Sequence, residues 1–255
     1  MTELFSVVSV TVLGALVGSF LNVCIYRLPR DKSIVWPGSA CPNCGRPLRW
    51  FENIPLGSYL VLSGRCRSCA TPISLRYPGV EALTALMFAL GLWYYGPGLL
   101  LVSRLVFGCT LIVLFAIDLE HHILPNVITV PGIVVGFAFG VVTEPGWLAS
   151  LIGIVIGGGV LWAVAEAYFR VRHEEGLGMG DVKMLAMVGA FLGWKLTLVT
   201  LMLGSVSGSI IGLYLIATER GGLKYALPFG TFLAIGAAAA ATVGPSLLAW
   251  YTALW

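Results

Sequence analysis

Charge is what this 255-residue chain lacks most: Lys, Arg, Asp and Glu together supply 11% of it, against 58% hydrophobic residues. Soluble domains carry about a quarter charged residues. A water-soluble globular fold of this size is therefore excluded, and lipid is the solvent such a surface suits. Also missing is the Lys/Arg cluster that opens a secretory signal peptide; the single early charge is Glu3. The apolar run from Leu4 to Tyr26 is longer than a signal core, so it reads as a retained spanning helix. No internal repeat is evident. The net charge of +3 says little by itself, and nothing points to nucleic acid as a partner.

What the chain does have is a series of apolar segments. A spanning helix needs about 20 apolar residues. Candidates run at Leu4–Tyr26, Gly79–Tyr95, Leu99–Ile117, Leu124–Val142, Trp147–Phe169, Val182–Gly193, Leu196–Ala217 and Pro228–Trp255. The expected fold is an all-α polytopic membrane protein of about eight transmembrane helices, the short sixth being tilted, partly interfacial or merged with its neighbour. Three parts follow: a first transmembrane helix at 1–26, an extramembrane loop at 27–78, and a membrane domain at 79–255. With the N-terminus outside, the inside loops collect Arg27, Arg30, Lys32, Arg46, Arg49, Arg65, Arg67, Arg76, Arg170, Arg172, Arg220 and Lys224. The outside connections keep only Lys195. That asymmetry is what the positive-inside rule requires. Gly204, Gly208 and Gly212, four apart on one helix face, suit close helix packing in lipid.

Two aspartates stand out in so apolar a chain. Asp118 ends the third segment in FAIDLEHHILPN, and Asp181 begins the sixth in EEGLGMGDVKM. The topology puts both at one cytoplasmic membrane face. Ionisable residues at such depth are functional candidates by default. Two carboxylates brought close share a proton, so one can act as base on water while the other protonates a carbonyl oxygen. Gly176, Gly178 and Gly180 give the backbone before Asp181 access to unusual dihedrals and to a substrate strand. Asp181 also falls at a helix start, where a carboxylate caps exposed amides. Lys183 follows two residues later, to tune Asp181, contact a substrate or anchor at the interface. Against these stands the ordinary alternative of an interfacial helix cap.

The loop carries two CxxC pairs, Cys41/Cys44 and Cys66/Cys69, with 21 residues between them, while Cys24 and Cys109 lie alone in apolar runs. Two such knuckles fit a closed tetrahedral site of four thiolates, a structural zinc rather than a catalytic one. A disulfide or redox role is the alternative. His121 and His122 sit on different helix faces and read as solvated loop residues. Glu166 and Arg170, four apart, read as a helix-surface ion pair.

IDLEHHILPN and GLGMGD resemble the paired motifs of the type IV prepilin leader peptidases, membrane aspartic peptidases of the GxGD type. GSFLNVCIYRLP, the CPNC and CRSC pairs, DVKMLAMVGAFLGW and LPFGTFLAIGA extend the resemblance in order along nearly the whole chain. Leu177 stands where many members have Met, and Thr231 where many have Pro. The resemblance implies leader cleavage of type IV prepilins or type II secretion pseudopilins, with Asp118 and Asp181 as the catalytic pair. It also implies N-methylation of the new N-terminus with S-adenosylmethionine as donor, at the bacterial inner membrane. Oligomeric state is left open. Two other classes compete: an ion- or proton-coupled transporter using the aspartates, and a scaffold whose loop binds partners. A transporter site belongs at the bilayer midplane, whereas both aspartates map to one surface.

Overall fold

The computed structural model describes residues 2–173, 178–218 and 227–253. Nine α-helices occur among them. They are α1 (Thr2–Arg27), α2 (Gly57–Val61), α3 (Arg76–Tyr95), α4 (Leu99–His121), α5 (Asn126–Val142), α6 (Trp147–Arg172), α7 (Met179–Ala217), α8 (Phe229–Thr242) and α9 (Gly244–Thr252). No strand occurs among the described residues; extended backbone pairs only at two isolated bridges in the 27–78 loop. The protein is all-α, as its composition requires.

Among the described residues all eight apolar segments form helices, yet they do not make eight equal spans. Four helices, α1, α4, α6 and α7, are long and apolar enough to cross a membrane, and α8 with α9, bent by 65° at their junction, would make a fifth. Helix α5 has 17 residues, about 26 Å at the α-helical rise, short of a hydrocarbon core of about 30 Å. The sixth and seventh segments continue as α7, broken at Gly193. There φ is +75° and ψ 167°, a conformation open to glycine and strained for any side chain. The sixth segment is merged with its neighbour and packed inside the protein. Met184, Leu185, Met187, Val188 and Ala190 are wholly buried, because α5, α6 and α8 all pack on α7. A helix apolar on every side belongs in such a core.

The chain divides into two compact units, Met1–Val113 and Leu114–Trp255, the division falling inside α4. In the first, α1 packs along α3. A Cβ at Gly14 would come within 2.8 Å of Phe88 Cβ, and one at Gly18 within 2.8 Å of Glu81 Cα. Two small residues four apart on α1 thus let the helices touch closely. In the second unit, α6 meets α7 backbone to backbone, where a Cβ at Gly157 would sit 2.5 Å from the Leu185 carbonyl oxygen. The expected stripe on α7 is used for packing: Gly204 lies against Leu233, Gly208 against Phe232 and Gly212 against Leu227. Glu166 and Arg170 form the expected ion pair, Nε to Oε1 at 2.7 Å.

Candidate functional site

Asp118 occupies the last turn of α4 and is 4% exposed. Its Oδ2 accepts two hydrogen bonds from Thr231, from the backbone N–H at 2.6 Å and from Oγ1 at 3.0 Å. Thr231 is the third residue of α8, whose preceding residue, Pro228, offers no side-chain cap. The first amides of a helix have no partner within it. Asp118 supplies one from a different helix, so this carboxylate caps α8.

Asp181 is the third residue of α7, as the sequence implies for a helix start. It is half-buried, its carboxylate reaches back to the Gly178 amide, and it lies within electrostatic reach of Asp118. A third-position carboxylate bonding the cap residue's amide is one half of a capping box. The two carboxylates are thus brought together, each at the positive end of a helix, where negative charge is favoured.

Leu124 holds these ends in place. A Cβ at Gly180 would lie 2.9 Å from Leu124 Cβ, and one at Gly230 would lie 2.8 Å from Leu124 Cδ1 and 3.0 Å from Asp118 Oδ2. At Gly178 a Cβ would come within 3.3 Å of Asp181 Oδ2. This corrects the expected reason for the glycines. Gly178 is ordinary extended backbone, φ −69° and ψ 135°, and Gly180 has no positive φ. Both are needed for close approach, to Asp181 and to Leu124. Gly176 lies outside the described residues. Lys183 is engaged elsewhere, donating from Nζ to Asn126 Oδ1 at 2.8 Å and so bracing the start of α5 against α7.

Gly230 and Thr231 were not picked out as site residues from sequence. The signal was available: in LPFGT, a proline precedes a helix start that has no capping side chain. Among the described residues His121 and His122 join no metal cluster. His122 turns the chain with φ +53° and donates its amide to the Asp118 carbonyl at 2.9 Å, and His121 lies 3.9 Å from the Glu120 carboxylate.

In the loop, the Sγ atoms of Cys41, Cys44, Cys66 and Cys69 all lie within 4.8 Å of one another. All four cysteines are free, with Cys41 and Cys69 sulfurs 3.8 Å apart. The cluster can hold a metal ion, and it is the one such group among the described residues. The two knuckles are copies in backbone as well as spacing. Cys41 and Cys66 each donate to the carbonyl five residues on, Arg46 and Thr71, and accept from the amide four residues on, Gly45 and Ala70, all at 2.9 Å. Both of those fourth residues have positive φ, +70° and +54°. The sequences correspond too, CPNCGRPL with CRSCATPI, a short repeat overlooked in the chain. Thr71, with its hydroxyl and amide, and Asn43 pull the Cys69 thiol down to about 5. The Arg46 amide also draws on Cys44, but burial and the neighbouring thiols push it up to about 11. Glu52 backs the first knuckle: the Arg49 amide and then Arg46, 2.6 Å away, hold its carboxyl below the usual range.

These features define a class: a multi-pass, all-helical membrane protein with two capping carboxylates in one unit and a four-thiol knuckle pair in the other. The family model described as Type IV leader peptidase family matches residues 105–213, and Bacterial Peptidase A24 N-terminal domain matches 12–95. The chain belongs to the type IV leader peptidase family. It is 46% identical over 213 residues to the prepilin leader peptidase/N-methyltransferase of Myxococcus xanthus, an alignment covering 83% of this chain and 64% of that protein, slightly under two thirds. The proteins of that name from Pseudomonas putida and Pseudomonas aeruginosa are 38% and 37% identical, each alignment covering 88% of this chain and 86% and 85% of theirs. No solved structure gives a significant match.

Proposed function

We propose that this protein cleaves the leader from type IV prepilins or type II secretion pseudopilins, with Asp118 and Asp181 as the catalytic pair, and then N-methylates the new N-terminus. The observation that carries the first half is the meeting of two carboxylates at two helix N-termini, one buried and doubly hydrogen-bonded, the other more open. With both Thr231 donors on Asp118 Oδ2, the proton the pair shares rests on Asp181. Asp118 Oδ1 then takes a proton from water as the water oxygen adds to the scissile carbonyl, while Asp181 gives its proton to the carbonyl oxygen. Collapse of the tetrahedral adduct breaks the C–N bond: the departing nitrogen takes the proton that Asp118 received, and an adduct hydroxyl returns its proton to Asp181 as the carbonyl re-forms, which restores the pair.

Topology supports the location. Arg and Lys concentrate in the connections assigned to the cytoplasmic side. A prepilin's basic leader would stay there while its hydrophobic helix enters the bilayer. The scissile bond would then meet the aspartates without a charge crossing lipid. The 27–78 loop is read as folded around one structural zinc. A Zn–S bond of about 2.3 Å sets tetrahedral S···S separations of about 3.8 Å, which is the Cys41–Cys69 spacing. For methylation, a bound S-adenosylmethionine would supply an electrophilic methyl carbon to the new N-terminal amine, leaving S-adenosylhomocysteine, with the amine proton passing to water.

The test is cleavage of a purified prepilin by the full chain in detergent, with Asp118→Asn and Asp181→Asn measured separately. Each variant should fall to background while melting like the parent. Full activity in either refutes the paired mechanism. Transfer of labelled methyl from S-adenosylmethionine to the cleaved pilin checks the second activity, which persistent absence of label would remove.

A further inference from the structure

The first unit contains a cavity of about 770 Å³ where the end of α1, the cysteine loop and the start of α3 come together. Small-molecule sites fall in the range of about 300–1,000 Å³. Its wall is built from two helix faces, Asn22 and Tyr26 one turn apart on α1, Tyr77 and Glu81 one turn apart on α3. Cys41 and Cys66 of the knuckles also border it, so a metal that folds the loop also shapes the wall.

The polar groups on that wall are unbalanced. Asn22 is 4% exposed; its Nδ2 donates to the Tyr77 carbonyl at 3.0 Å, and its Oδ1 has no hydrogen-bond partner. Glu81 is 9% exposed, and its carboxylate accepts from the Leu56 amide at 2.8 Å and from the Ser19 hydroxyl. Among the described residues no cationic side chain pairs with it, whereas Glu52 across the cavity is already matched by Arg46. Buried acceptors without donors and a buried carboxylate without a counter-charge are costly. A ligand that brings N–H donors and positive charge removes that cost. Tyr26 and Tyr77 add aromatic faces, which attract cations; Arg30 lies 4.4 Å from the first ring and Arg76 5.3 Å from the second. The Arg30 guanidinium, which borders the cavity, can receive a carboxylate. Arg27, Lys32 and Arg67 border the cavity as well as Glu52 and Glu81, so the wall suits a ligand that carries both signs of charge.

We propose that this cavity is the methyl donor's site, with Asn22 and Glu81 facing the cationic amino-acid end of S-adenosylmethionine and the tyrosines lining its apolar and aromatic parts. The proposal rests on the methyltransferase reading above and assigns it residues. It places methyl transfer where α1 and α3 meet the extramembrane loop.

The test uses the full chain in lipid-depleted detergent. Methyl-labelled S-adenosylmethionine is photocrosslinked to the parent protein, and the modified peptide is mapped by mass spectrometry. The label should fall within 19–26 or 76–81, and label confined to residues outside the cavity overturns the site. By calorimetry, Asn22→Leu and Glu81→Gln should each weaken binding of S-adenosylmethionine and S-adenosylhomocysteine at least tenfold, with melting temperature and metal content kept. Unchanged affinity in both variants also overturns it. If Asn22→Leu fails to fold, Glu81→Gln and the mapping decide. If the parent cuts prepilin yet binds no donor, the methyltransferase reading falls and this site with it. If it binds the donor but is labelled elsewhere, the site alone falls.

Discussion

Replacing Thr231 with valine removes one of the two hydrogen bonds on Asp118 and little else. The lost contact is Oγ1 to Oδ2 at 3.0 Å, between residues each 4% exposed. Hydrogen bonds to charged groups contribute about 1.5–3 kcal/mol. The shorter amide bond at 2.6 Å stays, which argues for the lower part of that range, about 1.5–2 kcal/mol. At about 1.4 kcal/mol per factor of ten, kcat/KM for leader cleavage should fall about 10- to 30-fold. The fall should appear in kcat rather than KM, because the group positions a reacting carboxylate and does not touch the substrate. Thr231→Ser keeps the hydroxyl and should recover most of the loss. Thr231→Pro, the residue many resembling family members carry, removes both donors, and here it should cost more than valine does. The assay is steady-state cleavage of a purified prepilin, with thermal melting as the folding control. Parental kcat in a normally folded valine variant would refute the positioning role.

Other outcomes follow from the same geometry. Gly180→Ala should lower cleavage sharply by forcing a Cβ to 2.9 Å from Leu124 Cβ, and Leu124→Ala should not relieve it, because the clash is with Cβ itself, whereas Leu124→Gly should relieve part. At the knuckles, Ala70→Gly should raise loop stability, since Ala holds a left-handed conformation at a cost of about 1 kcal/mol; Gly45→Ala should lower it by a similar amount, both read from chelator concentrations that release the metal. Cys66→Ser should lose about one bound ion per chain and loosen residues 27–78 to proteolysis; equal metal content in parent and variant would refute the site. At neutral pH, Glu52→Gln should make the first knuckle more protease-sensitive. Because its folded carboxyl titrates below the ordinary value, that difference should be present above about pH 4 and vanish as pH falls through the folded value.

How far the sequence could be read depended on which physical signal each feature left. Apolar run length marked the long helices but not the five-residue α2 within the loop, and the break in α7 showed as a Gly-Trp-Lys interruption. Cysteine spacing located the knuckles because metal ligation needs nothing beyond them. Asp118 and Asp181 were visible because carboxylates are rare in apolar segments. What run length could not give was which segment lies in lipid and which in protein, so the sixth segment looked like a poor span when it is the most buried helix half. Nor could it show a partnership between residues 113 positions apart, such as Asp118 with Thr231. The glycines were noticed and their purpose misread, since a missing Cβ signals either unusual torsion or close contact, and only neighbouring atoms distinguish the two.

The paired knuckles carry a consequence for how tightly the loop keeps its ion. Each eight-residue copy offers two sulfurs, too few to enclose a metal, so affinity depends on how often one half finds the other. The 21 residues between Cys44 and Cys66 act as a tether that sets the local concentration of the second half. Helix α2 and the turn at Trp50–Asn53 shorten and stiffen that tether. Substitutions along it, far from any sulfur, can therefore tune metal retention through reach alone, and with it the stability of every wall the loop lends to its neighbours.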